Sequence, residues 1–266
     1  MLKFISFGSG SSGNCYLLYT ETSALMIDSG VGVRILKRHF RDHGISFSRI
    51  NGILVTHDHA DHVKSVGYIS GEYNIPVYAL DSVHRGIEKN FCVRKKVVAE
   101  CKREVCAGET FQIEDFTITP FIVPHDSNGN LGYRIEVEDK TFCLMTDVGH
   151  ITDDIKSNIH SADYLVIEAN HDEQMLQNGP YPQYLKERVA GDTGHLSNTR
   201  CANALAENAS EKLKHVWLCH LSEENNHPEL LRKTMEEILS ASGIKLGTSL
   251  KLDILKRRQP SEIFDL

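Results

Sequence analysis

Five of the seven residues in Thr56-His57-Asp58-His59-Ala60-Asp61-His62 carry a nitrogen or oxygen that can ligate a metal, and the segment follows directly on the apolar run Ile53-Leu54-Val55. That run reads as a buried strand, so the cluster occupies a loop at a strand's end, where a rigid sheet can present side chains into a cleft. In extended chain, residues two apart point the same way. His57 and His59 can therefore converge on one ion, while the following turn brings Asp61 and His62 onto a neighbouring one. The chemistry expected of such a pair is hydrolysis, because two ions about 3.5–4 Å apart can share a water and lower its pKa toward ~7, making hydroxide available as the nucleophile. A solvated loop rich in His and Asp by chance is the plain alternative, and the order of these residues after a buried strand disfavours it.

Other strand ends deliver similar residues. Lys3 to Phe7 alternates as a strand and breaks at a Gly/Ser loop, Gly8 to Asn14; Cys15 to Tyr19 is a second strand, and Ala24 to Ile27 a third that ends in Asp28-Ser29-Gly30. The loop's donors could hold a phosphate, but no Lys-Ser/Thr follows it and it leads to a strand, so it is not a P-loop; a hairpin connection serves as well. A helix carrying Val33, Leu36 and Phe40 stops at Gly44. After the His cluster, Val63, Val66 and Ile69 continue one helical face to Pro76, a short strand follows, and Ser82 is expected to cap a helix carrying Val83, Ile87 and Phe91. Period-two runs at Phe111 to Ile113 and Phe116 to Ile118 predict antiparallel strands leading to His125, and a hairpin turning at Glu138-Asp139-Lys140 ends at Asp147.

The second half repeats this grammar. A helix near Thr152 to Ile159 precedes the strand Tyr164 to Ile167, which ends at Glu168; a helix from Glu173 to Val189 is interrupted near Gly179-Pro180; Ser197 or Asn198 caps the next. His215 to Leu218 is a strand ending at Cys219-His220, a helix follows Pro228, and Ser249 to Leu255 is the last strand before a basic tail, Lys256-Arg257-Arg258. The pattern is satisfied by an α/β fold of two sheets packed face to face with helices outside, in a single domain over residues 1–266 with internal pseudo-symmetry.

Composition is that of an ordinary globular chain: 24% charged residues, with no low-complexity tract. No apolar run approaches the roughly 20 residues of a membrane span, and the start lacks a signal-peptide core, so a cytoplasmic protein without membrane attachment is expected. Seven cysteines without CxxC pairing suit small buried hydrophobes in a reducing compartment. The net charge of −7 would discourage polyanion binding if spread evenly, and two divalent ions would offset part of it.

Asp-Ser-Gly after a strand, then His-x-His-x-Asp-His, a lone His125, a lone Asp147 and a final His220 resembles the metallo-β-lactamase superfamily over essentially the whole chain. The resemblance implies a four-layer αβ/βα sandwich of two mixed β-sheets flanked by helices, and it implies that His57, His59 and His125 hold one metal, that Asp61, His62 and His220 hold a second, and that Asp147 bridges them. Asp28 would orient ligands without binding a metal. Imidazoles and carboxylates suit Mn²⁺, Zn²⁺ or Fe²⁺ and do not choose among them. His59, where diiron redox members carry Glu, disfavours oxygen or nitric oxide reduction. Glu168-Ala169-Asn170 and Gly194-His195-Leu196-Ser197 resemble loops of tRNA 3′-processing nucleases in which Glu and His form a proton-donating pair, and this makes His195 the expected general acid. Asn170 departs from the Thr of that pattern, and the long arm that grasps a tRNA is absent.

The Ser9 to Asn14 loop, the His cluster, Val123-Pro124-His125-Asp126 and Gly194 to Asn198 together look like the compact YycJ/WalJ group of bacterial DNA exonucleases. That group implies 5′-to-3′ cleavage of duplex DNA with manganese. Asp61, Glu168 and His195 are then the catalytic set; Ser11, Ser12, Asn14, Tyr181, Lys186 and Ser197 are candidate substrate contacts, although Ser197 as a helix cap is a competing role. A hydrolase of a small cyclic phosphodiester or thioester and a metal-bound regulatory or scaffold protein are the alternatives. Single histidines elsewhere, such as His39, His84 and His160, are expected at the surface.

Overall fold

The computed structural model describes all 266 residues and contains two seven-stranded mixed sheets with helices beside them. In chain order, β1 (Lys3–Gly8), β2 (Cys15–Tyr19) and β3 (Ala24–Ile27) are followed by α1 (Val33–Asp42), β4 (Ile50–Leu54), α2 (Ala60–Val63), α3 (Val66–Tyr73), β5 (Val77–Ala79), α4 (Asp81–Lys89) and β6 (Lys102–Glu104). Then come β7 (Phe111–Ile113), β8 (Phe116–Ile122), β9 (Leu131–Val137), β10 (Lys140–Met145), α5 (Asp153–Ser161), β11 (Tyr164–Glu168), α6 (Glu173–Asn178), α7 (Gln183–Ala190) and α8 (Asn198–Asn208). The remaining elements are β12 (His215–Cys219), α9 (Pro228–Ala241), β13 (Lys251–Ile254) and β14 (Phe264–Asp265).

The first sheet runs β14-β1-β2-β3-β4-β5-β6 and the second β13-β12-β11-β10-β9-β8-β7. Each passes from antiparallel hairpin strands to parallel ones: β3, β4, β5 and β6 are parallel, as are β10, β11, β12 and β13. Parallel strands need helical crossovers, and their carboxyl ends share one edge of the sheet, which is where open α/β sheets collect ligands. Asp28 and the Thr56 to His62 segment lie at the ends of β3 and β4, and Asp147, Glu168 and His220 at the ends of β10, β11 and β12.

By contacts the chain divides into two compact units, one of residues 1–120, 127–131 and 256–266 and the other of 121–126 and 132–255. Each has its own apolar core. In the first, Leu36 and Phe40 of α1 join Ile5, Leu17, Met26 and Ile53, and the Phe40 ring stacks on Phe47 with centroids 3.9 Å apart. In the second, Ile155 and Ile159 of α5, Leu205 of α8 and Leu231 and Met235 of α9 cover Cys143, Leu165 and Val216 of the strands. No helix is long and apolar enough to cross a membrane.

Several expectations are corrected. The helical face from Val63 to Ile69 is broken at Lys64–Ser65 into α2 and α3, because α2 is a single turn that ends as Lys64 N bonds Ala60 O. Leu80 rather than Ser82 stands at the cap of α4, and Phe91 lies beyond its end, fully outside the core. His84 is buried rather than superficial, its Nε2 3.0 Å from Arg103 O. The chain continues past the basic tail to form β14 on β1, a pairing too short and too remote for periodicity to reveal.

Candidate metal centre and catalytic pair

In the first unit the His57 to His62 segment is set by three interlocking loops. Ser29 N donates to His62 O and Asn14 N to Asp61 O, each at 2.7 Å, and Gly30 N donates to Asn14 O at 2.8 Å. Gly30 is required here: a Cβ on it would lie 1.6 Å from Asp61 O. Asp28, fully buried, accepts from His62 Nδ1 at 2.6 Å, from Thr56 N at 2.9 Å and from Thr56 Oγ1 at 2.9 and 3.1 Å. Thr56 Oγ1 in turn accepts from His57 Nδ1 at 3.0 Å. One carboxylate thus fixes both imidazoles with their protons on Nδ1 and their lone pairs on Nε2, the tautomer in which histidine binds a metal, although the His62 lone pair here accepts from Asn14 Nδ2 at 2.9 Å. The rings of His57 and His59 are 4.6 Å apart, those of His57 and His62 4.1 Å, and Asp61 Oδ2 is 3.6 Å from His62 Nε2.

In the second unit, Glu168 is the hub. Its Oε2 accepts Val148 N at 2.7 Å and Leu196 N at 3.1 Å, and its Oε1 accepts His195 Nδ1 at 2.8 Å and His220 Nδ1 at 3.1 Å. Burial alone would push its carboxyl up, but the imidazoles of His195 and His220 reverse this and hold it down at about 2. Burial lowers His195 and the Glu168 carboxylate more than compensates, so the imidazole is raised above its ordinary value. About 19% of the His195 side chain is exposed. His125 Nδ1 donates to Gly194 O at 3.0 Å, and its Nε2 lies 3.6 Å from Asp147 Oδ1, as His220 Nε2 does at 3.7 Å. Donor atoms of Asp147, Glu168, His195 and His220 all fall within 4.8 Å of one another. Four imidazole Nδ1 atoms on the two units, those of His57, His62, His125 and His220, are therefore tied off by oxygen acceptors, and the donor sets fit divalent cations with borderline nitrogen and oxygen preference.

Some anticipated contacts are redirected. Asn14 is fully buried and bonded to Gly10 N and His62 Nε2, so it braces the motif and does not face a substrate. Ser197 caps α8, accepting from Arg200 N at 3.2 Å and donating to Glu173 at 2.8 Å. Ser12 is half-buried beside Lys64 and Arg258, and Ser11 is exposed. In the second unit Lys186 donates to Gln177 O, and Tyr181 is half-buried near the same turn. Asn170, the departure from Thr, donates to His220 O at 2.8 Å and so holds that residue.

Residues that sequence reasoning passed over are the supports: Thr56, whose place between strand and His57 was the available signal, and Asn226, which donates to Ala169 O and Asn170 O from a distant loop with no signal at all.

A model of the β-lactamase superfamily domain matches residues 24–220. The chain belongs to the metallo-β-lactamase superfamily. Its relatives include the exodeoxyribonuclease YycJ of Bacillus anthracis, 30% identical over 262 residues and 98% of each chain. They also include the exodeoxyribonuclease WalJ of Streptococcus pneumoniae serotype 2, 34% identical over 94% of this chain and 93% of that one. Among solved structures, the metallo-β-lactamase fold protein YhfI from Bacillus subtilis superposes with a TM-score of 0.71 at 16% identity, covering 98% of this chain and 100% of YhfI. The protein is accordingly a hydrolase of this superfamily, with a His/Asp cluster able to bind metal.

His171, beside this site in sequence, is 2% exposed with no partner for Nδ1, and burial drives it down to about 4. The folded protein then binds this proton less tightly than the unfolded chain, so the stability it contributes is full above about 6.5 and is lost as pH falls toward 4. In metal-free protein, urea melts at pH 7 and pH 4.5 are expected to show a loss of about 2–3 kcal/mol from this group, which His171→Leu removes. Equal pH dependence of both proteins would refute the assignment.

Proposed function

We propose that the chain acts as one metallo-β-lactamase-like domain that hydrolyses phosphodiesters, removing nucleotides from duplex DNA in the 5′-to-3′ direction in the cytoplasm. The observation that carries this reading is the His195–Glu168 pair at 2.8 Å, an imidazole whose protonated form is favoured by a carboxylate that is otherwise fully hydrogen-bonded. A departing alkoxide needs a proton, and with Nδ1 donating to Glu168, His195 offers the one on Nε2. The names of the YycJ and WalJ relatives support DNA as substrate, and one family model running through both units supports a single functional domain.

Family membership supports His57, His59 and His125 as ligands of one ion, Asp61, His62 and His220 of another, and Asp147 as the bridge. Two divalent ions, Mn²⁺ or Zn²⁺ with Fe²⁺ as a further fit, would supply an acidified water and neutralise charge on the scissile phosphate. Asp28, Thr56, Gly194 O and Glu168 orient the imidazoles that would hold them. Glu168 does so while also positioning His195.

Incubating the protein with 5′-labelled linear duplex and with closed circular DNA, in Mn²⁺ and in Zn²⁺, tests the reading. Loss of label from the linear duplex, an intact circle and an inert His57→Ala variant are expected. Cleavage of neither DNA in either metal would overturn the nuclease assignment, and hydrolysis confined to small cyclic phosphodiesters or thioesters would replace it.

A further inference from the structure

Two basic runs, Arg94-Lys95-Lys96 and Lys256-Arg257-Arg258, lie far apart in sequence and are both fastened to the His57 to His62 segment of the first unit. On one side, Asn90 Nδ2 donates to Asp58 O at 2.8 Å, and Cys92 N returns a bond to Asn90 Oδ1 at 3.0 Å, so the turn after α4 is tied to the residue between His57 and His59. Lys96 serves as a staple, its Nζ donating to Ile87 O and Asn90 O at 2.9 and 2.7 Å at the carboxyl end of α4. On the other side, Ser9 N donates to Lys256 O and Arg257 O at 3.2 and 3.3 Å, and Arg258 Nε donates to Ser12 Oγ at 3.0 Å. Lys64, two residues after His62, donates to Ser12 O at 2.5 Å. The Gly/Ser loop so held reaches the motif through Asn14 and Asp61.

The pinned turn carries Phe91 at 90% exposure, with Arg94 and Lys95 exposed beside it. From Lys89 to Lys96 there are four Lys or Arg residues and no acid, in a chain whose net charge is −7. Holding a phenyl ring in water forfeits its burial, and a ring on a turn that carries exposed cations and no acid suits a partner that offers both a flat π-face and phosphates. We propose that Phe91, Arg94, Lys95 and Arg258 form a docking surface for the end of a DNA duplex, the cations on backbone phosphates and Phe91 stacked on the terminal base pair. This deepens the nuclease reading and rests on it.

Fluorescence anisotropy of the metal-loaded full chain, with an end-labelled duplex made cleavage-resistant by phosphorothioate linkages and titrated across salt concentrations, tests the surface. Arg94→Gln/Lys95→Gln is expected to flatten the slope of log K against log salt by about 1.8, from roughly 0.9 per phosphate contact. Phe91→Ala is expected to weaken binding roughly 5- to 150-fold at every salt concentration with the slope unchanged, and Phe91→Trp to bind as wild type. Wild-type slope in the double variant, or wild-type affinity in Phe91→Ala, overturns the proposal; if wild type still cuts unmodified duplex with Mn²⁺, the nuclease reading survives that failure. A wild-type protein that neither binds nor cuts duplex overturns both. A dimer in sedimentation that Phe91→Ala dissociates would reassign the ring to self-association and overturn the proposal.

Discussion

Replacing His195 with alanine is expected to lower the rate of DNA cleavage about 10²–10⁴-fold, the usual range for loss of a positioned proton donor, while bound metal stays at the wild-type level. The geometry separates two roles that an activity assay alone would confuse. His195 shares Oε1 of Glu168 with His220 and sits 3.7 Å from Asp147 Oδ1, close enough to ligands that it could be one. As a proton donor, its removal should cost little with a substrate whose leaving group needs no proton, such as a nitrophenyl phosphodiester, and metal content by elemental analysis should be unchanged. As a ligand, its removal should depress both substrates equally and lower occupancy. Equal loss on the two substrates, or cleavage of DNA at the wild-type rate, would remove it from the acid role.

Asp28→Ala carries the second large expected effect. Three buried donors, Thr56 N, Thr56 Oγ1 and His62 Nδ1, share this carboxylate. Its removal is expected to destabilise metal-free protein by about 3–5 kcal/mol in urea unfolding, as loss of one partner from a buried charged network does. Asp28→Asn is the informative companion. An amide of the same shape fills the space, yet its NH₂ facing His62 Nδ1 favours the tautomer with the proton on Nε2, which removes the lone pair a metal needs. Most of the stability should return in Asp28→Asn, while metal affinity stays about 10–100-fold below wild type by competition with a chelator. Wild-type affinity in the amide variant would show that Asp28 is only a structural anchor.

Most strands were legible because they are short apolar runs, the charged Lys-Arg-Glu of β6 being an exception, and the candidate site was legible because its residues sit at strand ends: Asp28, the His57 to His62 segment, Asp147, Glu168 and His220 each close or follow such a run. What local pattern could not supply is long-range polar support. Asn226 clamps the Ala169–Asn170 backbone from a loop more remote than any periodicity reaches, and β14 pairs with β1 through two residues at the opposite end of the chain. Phe91 was misassigned to the apolar face of α4 because i, i+4 spacing from Ile87 is indifferent to where a helix stops. Asn90, whose side chain is drawn to Asp58 O, stops it. Ser197 offered two readings, substrate contact or cap, that only hydrogen-bond partners distinguish.

Asp28, Asp147 and His220 all hold positive φ, at 59°, 55° and 54°, in a region that side-chain-bearing residues seldom occupy. Glycine would relax the backbone at each of them, but at Asp28 it would also strip Thr56 and His62 of their buried acceptor, a larger loss. A laboratory selection for heat resistance alone would therefore spare Asp28 and be drawn to Asp147 and His220, the proposed metal ligands among the three, and its winners there would be firmer proteins expected to lose turnover.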